Sequence, residues 1–361
     1  MSSTPALRER ASRSPAAHGT RAGLARTLVA TAAILALGAC TSGLAAIGST
    51  APDAGSSIPG ASSPGGIVHL YTSVTQDTVD AVLAAYRQAH PEVTVDVFRA
   101  PTGELDARIA SEERSGGIAA DVLWGTDPLS VQAYASRDLF RAWTPANAEA
   151  VPAAFRTDST WGTRILDMVI VYNADLAKPP TDWSDLRGPA FADSVAIPDP
   201  AFAGSALGAL GYFASADGYG MDYYRALKAN GATQVQAIAE VVTDVAQGQF
   251  SAGITLAKVA RDAAAKGSPV KIAWPSSGAI AIYSPIAVFR GAPNPSAAES
   301  FADFVLGPEA QAAIAGTGWQ PVRSGVSGGP EIGGPQVAPD WKALFDRQEA
   351  LLTEYRTIFG G

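Results

Sequence analysis

The sequence predicts an α/β fold in which a largely parallel sheet is flanked by helices. Three observations carry this. Between Ile67 and Phe140, short β-rich runs alternate three times with segments of helical apolar spacing. That β-α-β-α-β-α rhythm suits a parallel sheet with helices on its faces. At 361 residues the chain has room for two lobes or domains and a sizeable core. Its composition, 47% hydrophobic against 17% charged, supplies the residues to fill that core.

The first segment reads as a processing signal rather than structure. Arg8, Arg10, Arg13, Arg21 and Arg26 precede the apolar run LVATAAILAL (28–37), then Gly38-Ala39-Cys40. A charged region, a short apolar region and small residues before a cleavage point make a secretory signal over 1–39. The run is short for a bilayer span. Leu37-Gly38-Ala39-Cys40 resembles a bacterial lipobox, which implies acylation at Cys40. Cys40 is the sole cysteine, so no intramolecular disulfide can form. Residues 40–66, rich in Ser, Gly, Ala and Pro, read as a flexible tether from lipid to folded body. The chain carries a net charge of −8, and without residues 1–39 it carries −12. So acidic a body argues against nucleic-acid partners and against membrane contact other than the anchor.

IVHLYTS (67–73) is an apolar β-rich strand. In 75–90, Val79, Val82, Leu83 and Tyr86 recur at helical spacing until Pro91 stops the helix. VTVDVFRA (93–100) alternates as a strand, 102–117 reads as a helix, 119–126 as a strand and 127–140 as a helix. After the loop STWGT come strands at 166–173 and 193–200. The stretch PDPAFAGSALGAL (198–210) then opens a helix at Gly204-Ser205. Helices follow at 223–231 and 235–249, and a strand and helix within 250–267. Two strands flank Ser276-Ser277-Gly278, one or two helices cover 294–318, and an amphipathic helix runs from about Pro339 to Ile358. The Gly204-Ser205 start has two readings. Ser is an ordinary N-cap, and a helix start also offers free N–H groups to an anion.

The order of these elements resembles the extracellular solute-binding proteins of ABC importers, in the group of ferric-iron, phosphonate and sugar-phosphate binders. The resemblance covers about 67–325. It rests on IVHLYTSVTQDTVDAVLAAYRQAHPEVTVDV, the ADVLWGTDP turn, MVIVYN, and GAIAIYSPIAVFRGAPNPSAAESFADFVLGPEAQ. It implies a two-lobed periplasmic binding protein type II-like fold, each lobe a mixed or parallel sheet flanked by helices, with the ligand cleft between lobes. The implied N-lobe is 67–168 plus 279–325 and the C-lobe 169–278, with the tail 326–361 unplaced. Closure around ligand would be a hinge motion.

Iron binders of this group use a His, a Glu and a Tyr pair. Here Thr75 stands near the His position and Thr126 at the Glu, and no tyrosine lies around Thr255–Lys258. Tyr223-Tyr224 falls earlier, within a helix, and reads as one packed ring and one surface ring. His18, His69 and His90 are scattered, so no metal or other cofactor is expected. What the cleft would hold is small and hydroxylic: Ser73, Thr75, Thr126, Gly204, Ser205 and Thr255. Such donors suit an oxyanion. Asp127 either caps the following helix or faces the ligand. Asp167 could meet an amine or hydroxyls on it, and Tyr283 and Trp124 could wall the cleft.

P-loop and Rossmann motifs are absent from the sequence. Its one Gly-x-Ser-x-Gly match, GVSGG (325–329), lies in a Gly/Pro-rich stretch rather than between a strand and a helix, so it makes no nucleophile elbow. The expectation is therefore a non-enzymatic, monomeric receptor, exported and lipid-anchored at the outer face of the cell membrane. It would deliver a small polar solute bearing a phosphate or carboxylate to ABC permease subunits. A ferric-iron carrier with non-standard ligands, or a secreted hydrolase, is the alternative.

Overall fold

The computed structural model describes Gly66–Gly360. The signal, Cys40 and nearly all of the tether lie outside the described residues. The expected opening rhythm is present as β1 (Gly66–Thr72), α1 (Gln76–Ala89), β2 (Val93–Arg99), α2 (Thr102–Arg114), β3 (Val122–Trp124) and α3 (Pro128–Ala135). β1 pairs in parallel with both β2 and β3. α1 buries Val79, Val82, Leu83 and Tyr86, one face at 3.6-residue spacing, and ends before Pro91. α3 begins where the Asp127 side chain accepts from Ser130 N–H at 2.8 Å, with Pro128 in the first turn.

β4 (Trp161–Asn173) begins at Trp161, not at Leu166, so most of STWGT is strand rather than loop. A bulge at Thr163 separates the pairings of Gly162 and Arg164. β5 (Val195–Pro198) leads into α4 (Gly204–Ser215). Glycines let α4 lie close to its neighbours. A Cβ at Gly208 would come within 2.9 Å of the Ile282 side chain, and one at Gly211 within 2.9 Å of Leu129. Glycine inside a helix costs about 1 kcal/mol, so the close approach is what these positions provide.

α5 (Gly220–Ala229), β6 (Thr233–Val235), α6 (Ile238–Ala246), β7 (Ala252–Leu256), α7 (Ala257–Ala265) and β8 (Val270–Ala273) follow. Tyr223 and Tyr224 of α5 are both buried, which corrects the expectation of one surface ring. Tyr223 stacks on Phe213 and donates to Trp183 O, and Tyr224 meets Tyr355 edge-on. The chain then returns through β9 (Ala279–Val288), α8 (Pro295–Leu306) and α9 (Pro308–Gly316).

The main sheet runs β2-β1-β3-β9-β4-β7-β5-β6. β4 and β9 pair antiparallel at its centre, and β4 also carries β8. The strands β1 to β3 thus lie on one side of this central pair, and β5 to β8 on the other. This is the two-lobed α/β arrangement. β10 (Gln320–Pro321) and β11 (Gln336–Val337) add to β4 and β9. The final helix is split into α10 (Trp341–Leu344) and α11 (Gln348–Phe359). The tail packs on the rest of the body: Trp341 against Tyr283, Tyr355 against Tyr224, and Glu354 paired to Arg225.

Candidate functional site

Three parallel strands end at one place, and the loops leaving them bring hydroxyls there. Ser73 and Thr75 follow β1, Thr102 opens α2 after β2, and Thr126 follows β3. Ser73 Oγ donates to Thr126 Oγ1 at 3.2 Å, and Thr102 Oγ1 lies 3.2 Å from the same atom. Carboxyl ends of strands are where ligands sit in such sheets. These hydroxyls border a cavity of about 360 Å³. Its other walls come from Arg164 and Leu166 of β4, the start of α4, the turn into α6, the β7–α7 junction, and Trp319.

Gly204 and Ser205 line this cavity. The residue in the N-cap position is Ala203, which has no side-chain cap, so Ser205 is not the cap. The N–H groups of Ala206 and Leu207 both bond to Ala203 O. Those of Gly204 and Ser205 make no hydrogen bond among the described residues. Two free donors at the positive end of a helix therefore border the cavity.

The decisive group was not a sequence candidate. Arg164 borders the cavity at 0% exposure. All three guanidinium nitrogens lack a hydrogen-bond partner, and Arg164 makes no ion pair among the described residues. Its carbon sits 4.4 Å from the centroid of the Trp319 ring, a cation–π contact that leaves the five N–H donors unused. Burial lowers its pKa to about 9, against a smaller raising effect from Asp77. A buried, unpaired cation is costly unless something anionic meets it. Trp319 Nε1 is likewise buried without a partner.

Ser73, Thr75, Thr126, Gly204 and Ser205 are thus brought together, and four expected site residues lie outside the lining. Asp167 follows Leu166 on β4. Strand alternation turns it to the opposite face, where its Oδ1 accepts from Gln336 at 2.6 Å. Thr255 precedes Leu256 on β7 and is displaced by the same alternation, and its Oγ1 donates to Ile238 O at 3.2 Å. Tyr283 is buried between Phe155 and Trp341. Asp127 lies just behind the lining, fully buried, where it caps α3. Trp124 is core, with its Nε1 bonded to Thr163. His69 bonds to Asp121 at 3.0 Å within the first strand. Among the described residues no group of three or more His, Cys, Asp or Glu is placed to hold a metal.

Residues 68–320 match the bacterial extracellular solute-binding protein family. The chain belongs to this family. A periplasmic protein of Salmonella typhimurium named for binding 2-aminoethylphosphonate is 29% identical over 251 residues, 65% of this chain and 71% of that protein. Two solved structures share the fold. One is the periplasmic binding protein AfuA of Actinobacillus pleuropneumoniae with fructose-6-phosphate bound, at TM-score 0.74 and 20% identity, covering 82% of this chain and 99% of that one. The other is iron-bound HitA of Pseudomonas aeruginosa, at TM-score 0.71 and 19% identity, covering 81% and 99%. For this member of the family, the cleft described above is the candidate solute site.

Proposed function

We propose that this protein is the solute receptor of an ABC importer and that its solute is a small organic anion carrying a phosphonate, phosphate or carboxylate group. One observation carries the reading: Arg164, buried at the cavity without a partner. An oxyanion there takes a charge-assisted bond from the guanidinium, which favours planar bidentate contact. The Gly204 and Ser205 N–H groups and the hydroxyls of Ser73, Thr102 and Thr126 complete the cradle. The relative named for 2-aminoethylphosphonate supports a phosphonate head. The receptor binds and releases its solute unchanged, so no residue is catalytic.

In this reading the lobes are 67–168 plus 279–325 and 169–278. They close on the solute about β4 and β9. Residues 1–39 export the chain, Cys40 carries lipid at the outer face of the cell membrane, and 40–66 tether a monomeric body within reach of the permease. Calorimetric titration of the purified protein with 2-aminoethylphosphonate, methylphosphonate and sugar phosphates tests the anion reading. Saturable binding to at least one of them, lost in Arg164→Gln, is expected. Undiminished binding in that variant would remove the basis of the reading.

A further inference from the structure

The cavity is chemically two-sided, and the second side bears on what the anionic head is attached to. Ile238, Leu256 and Val259 from the β5–β8 side, with Leu166 of the central β4, give the cavity an apolar portion without a hydrogen-bonding side chain. Leu166 and Leu256 are buried there, at 1% and 6% exposure. The exposed Phe202 extends apolar surface to the lining near Gly204. Beyond the cradle, the lining also carries Thr75 beside the hydroxyls and Trp319 beside Arg164, and its remaining polar side chains, Arg99, Glu104 and Gln236, are exposed.

Size points the same way. An apolar cavity of about 150 Å³ holds benzene, and this one is about 360 Å³. A phosphonate head with a two-carbon chain leaves much of it unfilled. A sugar fills it, but sugar hydroxyls against that apolar portion lose water and find no partner. A hydrophobic ring gains from the same burial.

We propose that the solute is an organic anion with an apolar, ring-sized body, its head at Arg164 and its body against Leu166, Ile238, Leu256 and Val259. This rests on the receptor reading above and narrows the solute within it. The class is arylalkyl phosphonates, phosphate esters or carboxylates, as opposed to aminoalkyl phosphonates and sugar phosphates.

The test is calorimetric titration of the purified protein with benzylphosphonate, methylphosphonate, 2-aminoethylphosphonate and glucose 6-phosphate, each at two temperatures. Benzylphosphonate should bind at least about tenfold more tightly than the other three, a difference readable directly from Kd. It should also show the most negative heat-capacity change, the mark of apolar burial. Leu256→Ser should cost benzylphosphonate at least about fivefold more affinity than it costs methylphosphonate. Equal or tighter binding of 2-aminoethylphosphonate or glucose 6-phosphate overturns this proposal and leaves the receptor reading standing. Binding of none of the four, nor of phenylacetate, the carboxylate counterpart titrated alongside them, overturns both. The titrations of the unaltered protein decide the matter even if the Leu256 variant fails to fold.

Discussion

Lys258 on α7 holds Asp77 on α1 at 2.9 Å, joining the β5–β8 side of the molecule to the β1–β3 side. The Lys258 side chain is 7% exposed and that of Asp77 48%. Nearby, an Arg261 guanidinium nitrogen donates to Gly318 O at 3.3 Å. Burial alone would raise the Asp77 pKa, but bonds from Thr75 and Lys258 outweigh it and hold the carboxyl below its ordinary value. The contact is a clasp beside the cavity, where Thr75 and Val259, near neighbours of the pair, both line the wall. Asp77→Asn is expected to weaken solute binding a few-fold, mainly through faster release, since partly exposed pairs are worth at most about 1 kcal/mol. Stopped-flow dissociation at low and high salt checks this. Unchanged release in both conditions would show that the clasp plays no part in closure.

Arg164 invites the opposite kind of substitution. Met has similar length and no charge, so Arg164→Met removes a buried cation that has no counter-charge bonded to it. Apolar replacement of buried charge is often neutral or stabilising, by about 1–4 kcal/mol. The unliganded variant should therefore melt no lower than the parent protein, while the rise in Tm that an anionic solute gives the parent disappears. A variant that melts well below the parent would mean that the guanidinium has a structural partner.

These residues also show what the sequence could and could not reveal. The opening β-α repeat was legible because each strand and helix there is bounded by its own punctuation: Pro91, Gly116-Gly117, Asp127-Pro128. The strand ends were legible for the same reason, and with them Ser73, Thr75 and Thr126. Arg164 was hidden because Gly162 and Thr163 look like loop residues, and only β-pairing with β9 makes them strand. Asp167 and Thr255 were each displaced by one position. A strand's face is set by its register, and one residue reverses it. Starting β4 at Trp161 would have placed Arg164 and Leu166 on one parity and Asp167 on the other. Trp319 carried no local signal, since its place beside Arg164 depends on the return of the chain after α9.

Gly204 offers a steric test of closure. An ideal Cβ there collides with Asp127 Oδ2, and lies 2.7 Å from Thr126 Oγ1 and 2.9 Å from Thr102 Oγ1. These three oxygens belong to the β1–β3 side, and α4 comes from beyond β5. Gly204→Ala must move the helix start away from the hydroxyls that would share the anion with it. Solute affinity is expected to fall at least about tenfold, or ~1.4 kcal/mol. Ser205→Ala, which removes one hydroxyl without a clash, should cost less. Titration of both variants, alongside circular dichroism to verify the fold, gives the comparison. Gly204→Ala binding as well as the parent would mean that the helix start does not approach the solute.

Asp127 links the same corner to pH. Its Oδ1 caps α3, but Oδ2 is buried without a partner. Burial raises its pKa to about 7, against bonds from Ser130, with the charge of Asp106 adding to the rise. Tyr134 on α3 bonds Asp106, and Tyr283 on β9 also senses the Asp127 charge. A carboxyl raised above its unfolded value near 3.8 holds an extra proton in the folded state between those two pH values. Folding therefore weakens as pH climbs through that window, by at most about 1.4 kcal/mol per pH unit. Asp127→Asn keeps a capping oxygen and loses the titration. Between pH 5 and about pH 7 its Tm should fall less than that of the parent protein. Solute binding should follow the same sense, because an ionised Asp127 behind Thr126 and Gly204 repels an anion that those residues hold. Parallel Tm-against-pH curves for the two proteins would mean that Asp127 stays ionised throughout, and anion affinity would then be free of this group.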